Sequence, residues 1–120
     1  MIEYSFCTMI IESLDFDLEN LPINHGLEIL LKSEKGQILE SKNDFITSEV
    51  PTLILQGGLN NMALFIESII HMKIPLSIVK NLSYTVEFSD QCNFEIDTSD
   101  LKVFSKLDVP LGITCYTTSS

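Results

Sequence analysis

Residues 59–75 read LNNMALFIESIIHMKIP, and their periodicity decides the fold class. Leu59, Met62, Ala63, Ile66, Ile69 and Ile70 recur at the spacing of one helical face. Asn60 or Asn61 offers a side chain for the N-cap, and Pro75 marks the end. Leu64 and Phe65 add apolar surface beyond that stripe, so the helix is expected to pack against a sheet rather than lie free.

The strands for such a sheet lie on both sides of it. IEYSFCTMII (Ile2 to Ile11) is rich in β-branched and aromatic residues, and both of its alternating sets are partly apolar. That pattern predicts a central strand covered at least in part on both faces. LSYTVEFSD (Leu82 to Asp90) alternates, with Tyr84, Val86 and Phe88 facing one way and Ser83, Thr85, Glu87 and Ser89 the other. LGITCYT (Leu111 to Thr117) reads as a last strand. A hairpin is predicted from Leu27–Lys32 and Gln37–Ser41, with Gly36 supplying a positive φ in the turn. Phe45 to Val50 reads as a short edge strand, after which Pro51 and Gly57-Gly58 punctuate the chain. A second helix is expected in DTSDLKVFSKL, with Asp97 to Asp100 as cap and first-turn carboxylates and Leu101, Phe104 and Leu107 as the inner stripe.

Two stretches echo one another. Tyr4 and Tyr84, and likewise Asp17 and Asp97, occupy matching steps of a Tyr-led strand that runs through an acidic-aromatic turn into a short helix. The prediction is one α+β domain over residues 1–120, a mostly antiparallel sheet with helices packed on one face. Hydrophobic residues are 45% of the chain, which supplies a core of that size.

Charge narrows the function. Seventeen acidic residues face seven lysines, with no arginine, for a formal net charge of -10. Such a surface repels phosphate backbones and anionic lipid, so neither direct nucleic-acid nor membrane binding is expected. It attracts a basic protein and speeds the encounter, or it serves solubility alone. The N-terminus runs directly into acidic residues and no apolar run spans a bilayer, which predicts a cytoplasmic protein.

ESLDFDLEN (residues 12–20) is the densest acidic stretch. Asp15, Asp17 and Glu19 match the first ligand positions of an EF-hand loop. The required Gly is then Asn20, the required bidentate Glu is Gly26, and Pro22 interrupts the loop, so the motif fails. Cys7, Cys92 and Cys115 have no CxxC spacing and are expected to be reduced, buried thiols. His25 precedes a turn glycine and His71 ends the long helix, both structural positions. No metal, phosphate or cofactor motif is present.

The C-terminal run CNFEIDTSDLKVFSKLDVPLGITCY (Cys92 to Tyr116) is similar to small bacterial domains with an acid-capped short helix, an L-x-x-[LF]-x-x-L run and a closing strand ending on Tyr. Several of these resemble immunity proteins of contact-dependent growth inhibition and other polymorphic-toxin systems. The resemblance implies a non-enzymatic cytoplasmic protein that neutralises a cognate toxin, a basic one and in some cases a nuclease, by covering its active site. From the charge pattern, the partner surface is expected to combine Glu12, Asp15, Phe16, Asp17 and Glu19 with Asp90, Glu95, Asp97 and Asp100. The alternative is a small-ligand-binding or regulatory α+β domain, and the sequence leaves monomer or homodimer open.

Overall fold

In a computed structural model, described for residues 2–23, 26–33, 38–40, 45–47, 50–90 and 93–117, the strand Ile2–Glu12 (β1) runs through the middle of the molecule. Cys7, Met9 and Ile11 are buried, while Phe6, Thr8 and Ile10 on the alternate face are only partly covered. The period of two thus turns one face of β1 wholly into the core and leaves the other half open.

The remaining strands are Glu28–Ser33 (β2), Ile38–Glu40 (β3), Phe45–Thr47 (β4), Thr52–Gly57 (β5), Val79–Phe88 (β6) and Leu111–Thr117 (β7). Five of them form one sheet in the order β2-β5-β1-β6-β7, and β3 pairs with β4 in a separate ladder. All neighbours are antiparallel except β6 and β7. The expected α+β class with a mostly antiparallel sheet is therefore what the chain adopts.

The helices Leu59–His71 (α1) and Thr98–Phe104 (α2) share a core with the buried side of that sheet. Met9 sits opposite Leu55 and Leu82 in register, and Ile11 opposite Leu53. These side chains meet Met62, Phe65, Ile66 and Ile69 from α1 and Val103 and Phe104 from α2. Phe65 is completely buried, which explains why α1 could not have stood alone.

The ends of α1 differ from the sequence expectation at one side. Gly58, not Asn60 or Asn61, is the N-cap, and the cap makes no side-chain hydrogen bond. The C-terminus is a Schellman motif: Lys73 N–H donates to the Ile70 carbonyl and Ile74 N–H to that of Ile69, each at 3.0 Å. Buried Ile74 then sits over buried Ile69, and Pro75 follows as expected. Lys73 holds the left-handed position at φ 60°, where a Cβ is strained. Lys73→Gly should therefore raise stability by about 0.5–1 kcal/mol, read as a higher urea midpoint at unchanged slope.

Two strand assignments are corrected. β2 does not form a hairpin with β3; it pairs with β5, and β3 pairs with β4. Gly36 and its turn lie outside the described residues. The missed strand, β5, is the one that joins β2 to β1. Its Leu53 and Leu55 are buried, and at its last residue, Gly57, an added Cβ would meet the end of the Leu27 side chain, which would have to shift. Of the stripe expected for α2, Phe104 and, just past the helix end, Leu107 are buried, whereas Leu101 is exposed and Asp100 and Val103 are buried instead. The helix begins where expected, after Asp97 at the N-cap, although that side chain makes no capping bond.

The internal echo holds at one end only. Asp17 and Asp97 are both N-caps, of a 3-10 turn over Leu18–Asn20 and of α2. Tyr4 and Tyr84, however, point to opposite faces: Tyr4 is exposed and Tyr84 is in the core.

Candidate functional site

The acidic stretch after β1 is built by a change of direction at Ser13. Ser13 N–H donates to the Pro51 carbonyl at 3.2 Å, and the Phe16 N–H donates to Ser13 Oγ at 2.9 Å. This side-chain turn takes the chain off the end of the central strand and breaks its alternation. Leu14 is left 61% exposed, Phe16 packs on the margin of the core and Leu18 is buried in it. Asp17 then caps the 3-10 turn by accepting the Glu19 N–H at 3.0 Å. Glu19 forms an ion pair with Lys32 of β2, exposed on both sides and so of small energetic worth.

The result is an acidic ridge with an apolar crest and a cleft on each flank. One cleft, of about 330 Å³, lies between Asp15, Phe16, Asp17 and Glu19 and the end of β2 at Lys32 and Ser33. The other, of about 390 Å³, lies between Glu12–Asp15 and the Ser77–Lys80 segment. Ser13, Leu14 and Asp15 belong to both, so Leu14 stands on the divide. Both hollows are open to solvent, and each pairs carboxylates with one lysine.

The second acidic stretch lies elsewhere. Glu95, Asp97 and Asp100 line a cleft of about 500 Å³ with Ser5, Asn60 and Tyr84. Phe94 packs edge-on to Tyr84 with ring centroids 5.6 Å apart, and Ile96 also rests on the core. Apolar residues point in and carboxylates out, which fastens the loop to the sheet. Asp90 follows the end of β6 and accepts a 2.8 Å hydrogen bond from Ser89 Oγ. Asp100 is 8% exposed, so it presents little of itself to a partner.

The structure brings Glu12, Asp15, Phe16, Asp17 and Glu19 together, and separately Glu95, Asp97 and Asp100. It does not join the two groups. β6 runs antiparallel to β1, so the loop after β6 returns to the start of β1 whereas the ridge follows its end. Ser5 and Glu12 bracket that separation, seven strand residues or roughly 23 Å. Phe16, expected on the partner surface, is partly buried against the core. Leu14 takes the exposed role, and the signal for it was Ser13, whose hydroxyl initiates the turn. Lys32 and Lys80 were also missed, since nothing in their local sequence places them beside the ridge.

Among the described residues, no three His, Cys, Asp or Glu side chains are grouped so as to hold a metal ion. Cys7 is buried against Tyr84 and Gly57 in register, and burial pushes its thiol from the ordinary 9.0 up to about 12. It is a packed hydrophobe without thiolate character at neutral pH. Cys115, expected to be buried, is exposed on β7; Cys92 and His25 lie outside the described residues. His71 is the last residue of α1, as expected.

The raised Cys7 value carries a pH consequence. Between 9.0 and about 12 the unfolded chain has lost the thiol proton and the folded chain retains it, so stability falls as pH rises through that window. Cys7→Ala should flatten this alkaline loss. In the Cys92→Ser background, Cys115 should react with a thiol reagent at neutral pH in the folded protein, and Cys7 only in denaturant.

No helix among the described residues is long and apolar enough to cross a membrane. Compared with protein-family models, with curated proteins and with solved structures, the chain has no significant match.

Proposed function

We propose that the chain is a non-enzymatic binding protein that neutralises a basic cognate toxin, in the manner of the immunity proteins its C-terminal third resembles. The observation that carries the reading is Leu14, 61% exposed on the crest of a ridge that also carries Asp15 and Asp17. An exposed leucine ringed by carboxylates gives a basic cleft both things it needs. The charges steer the encounter and imitate phosphate, and the leucine supplies the desolvated contact that charge alone lacks. The clefts on either flank leave room for arginine or lysine side chains of the partner to reach the carboxylates from both sides.

The separation of the two acidic stretches refines the footprint. The ridge alone is the primary contact, and the Glu95–Asp97 loop contributes long-range charge from the far end of the sheet. In this reading the toxin is bound by residues Glu12 to Glu19, with Phe16 and Leu18 serving as the rigid base under Leu14. The net charge of -10 makes the association fast at low ionic strength.

The test is surface-immobilised or stopped-flow binding to the purified toxin encoded beside this chain's gene. A tight complex is expected, with an on-rate that falls steeply as salt is raised and a dissociation rate that changes little. Association independent of salt, or none with that toxin, overturns the reading. A complex that leaves the toxin fully active does so as well.

A further inference from the structure

The two edges of the sheet are unlike. β2, at one edge, carries Glu28 and Lys32 and is broken by a bulge between Ile29 and Leu31. Charges and bulges are the usual means of keeping a strand edge from pairing with another chain. β7, at the other edge, has neither. Leu111–Thr117 contains no charged residue and no proline, and its pairing with β6 is regular along all seven residues. Among the described residues no strand lies on its outer side.

β7 is also exposed on both faces. Ile113 is 48% exposed and Tyr116 44%, and Cys115 is exposed on the same face as Ile113. A run of β-branched and aromatic residues with open backbone groups would ordinarily be a hazard. In a chain with seventeen carboxylates, this strand is one place where another polyanion can approach closely.

We infer that β7 is a self-association edge: a second copy of this chain pairs with it antiparallel, joining two five-stranded sheets across a two-fold axis at Thr114. The strand is self-complementary in that register. Ile113 of one copy lies opposite Cys115 of the other, and Leu111 lies opposite Thr117. On the other face Tyr116 lies over Gly112, where an aromatic ring covers the gap a glycine leaves. Asp108, just before the strand, lies outside the paired segment Leu111–Thr117 of both copies. Glu87, the nearest acidic residue on the face of Tyr116, already accepts a 2.5 Å hydrogen bond from the Tyr116 hydroxyl. An uncharged strand cannot select a basic partner, so this surface is separate from the toxin-binding ridge and stands independently of it.

The contact is short, one strand of seven residues a side, which is small against the roughly 800 Å² per partner of a standard interface. A reversible, concentration-dependent dimer is therefore expected. Sedimentation velocity on the full chain, kept reduced, from micromolar to near-millimolar concentration should show monomer passing to dimer. Thr114→Lys places two like charges opposite each other on the axis and should weaken the dimer at least about tenfold. Thr114 is exposed, so the circular dichroism and melting of that variant should match the wild type. In a Cys92→Ser, Cys115→Ser background, Thr114→Cys should form a symmetric interchain disulfide on mild oxidation, since directly opposite strand residues lie within disulfide reach. A chain that stays monomeric throughout overturns the proposal. So does a dimer untouched by Thr114→Lys, or a cross-link that forms equally well from a cysteine at Ser68 on α1.

Discussion

Phe65→Ala is expected to lower the stability of the chain by about 3–5 kcal/mol, the largest effect of any single truncation in it. Phe65 is completely buried at the centre of α1, and it belongs to the cluster that ties the helix to β1 and β5. Its neighbours Met9, Leu55, Met62 and Ile69 are themselves fully buried and come from three different elements. Collapse onto the vacated volume would have to move the sheet toward the helix, which rigid neighbours resist. The loss is a large share of the roughly 5–15 kcal/mol that such a domain has in total. Urea denaturation followed by circular dichroism measures it. The paired control is Leu101→Ala in α2, where a leucine that reads as core from sequence is 44% exposed. That change should stay within about 0.5 kcal/mol. Equal losses at the two positions would mean that the helices do not sit on the sheet as described.

The contrast between those two residues shows what the sequence could and could not convey. α1 was legible because its apolar residues keep one period over thirteen positions, and a stripe that long has a single helical solution. α2 has only seven residues, too few turns for its pattern to decide between Leu101 and Val103 as the partner of the correctly read Phe104. β6 was legible for the same reason as α1, since alternation survives wherever one face is buried. β7, exposed on both faces, was legible instead from its β-branched and aromatic residues after Pro110. β5 was not. TLILQ is a short apolar run between Pro51 and two glycines, and its role as the strand between β2 and β1 depends on a pairing far away in sequence. The hairpin error has the same origin, because β2 and β3 are close in the chain but belong to different ladders. Local signals propose the nearest partner, and the register of β2 against β5 is a long-range property.

The acidic stretches divide in the same way. That Asp15, Asp17 and Glu19 would be exposed could be read directly, and so could the failure of the calcium motif. The distance between this stretch and Asp90 to Asp100 could not. It follows from β1 and β6 being antiparallel, which carries the segments that follow them to opposite ends of the sheet. Similarly, Leu14, Phe16 and Leu18 look equivalent in sequence, and the Ser13 turn is what separates one exposed residue from two that pack inward.

That separation leads to the second large effect. If the ridge is the toxin contact, Leu14→Ala should weaken the complex by about 2 kcal/mol, roughly thirtyfold in Kd. The loss should appear almost entirely as faster dissociation, because a truncated apolar crest changes no long-range charge. Asp15→Asn combined with Asp17→Asn should do the opposite, slowing association and flattening its salt dependence while altering dissociation less. Asn at position 17 can still accept the Glu19 N–H, so the 3-10 turn and the ridge keep their shape. Leu14 is exposed enough that its removal should leave the urea midpoint in place, which separates a binding effect from a folding one. The same carboxylate changes made at Glu95 and Asp97 should alter only the salt-dependent part of the on-rate, since those side chains lie at the far end of β1. A thirtyfold loss at that end with none at Leu14 would move the toxin contact to the cleft beside Tyr84.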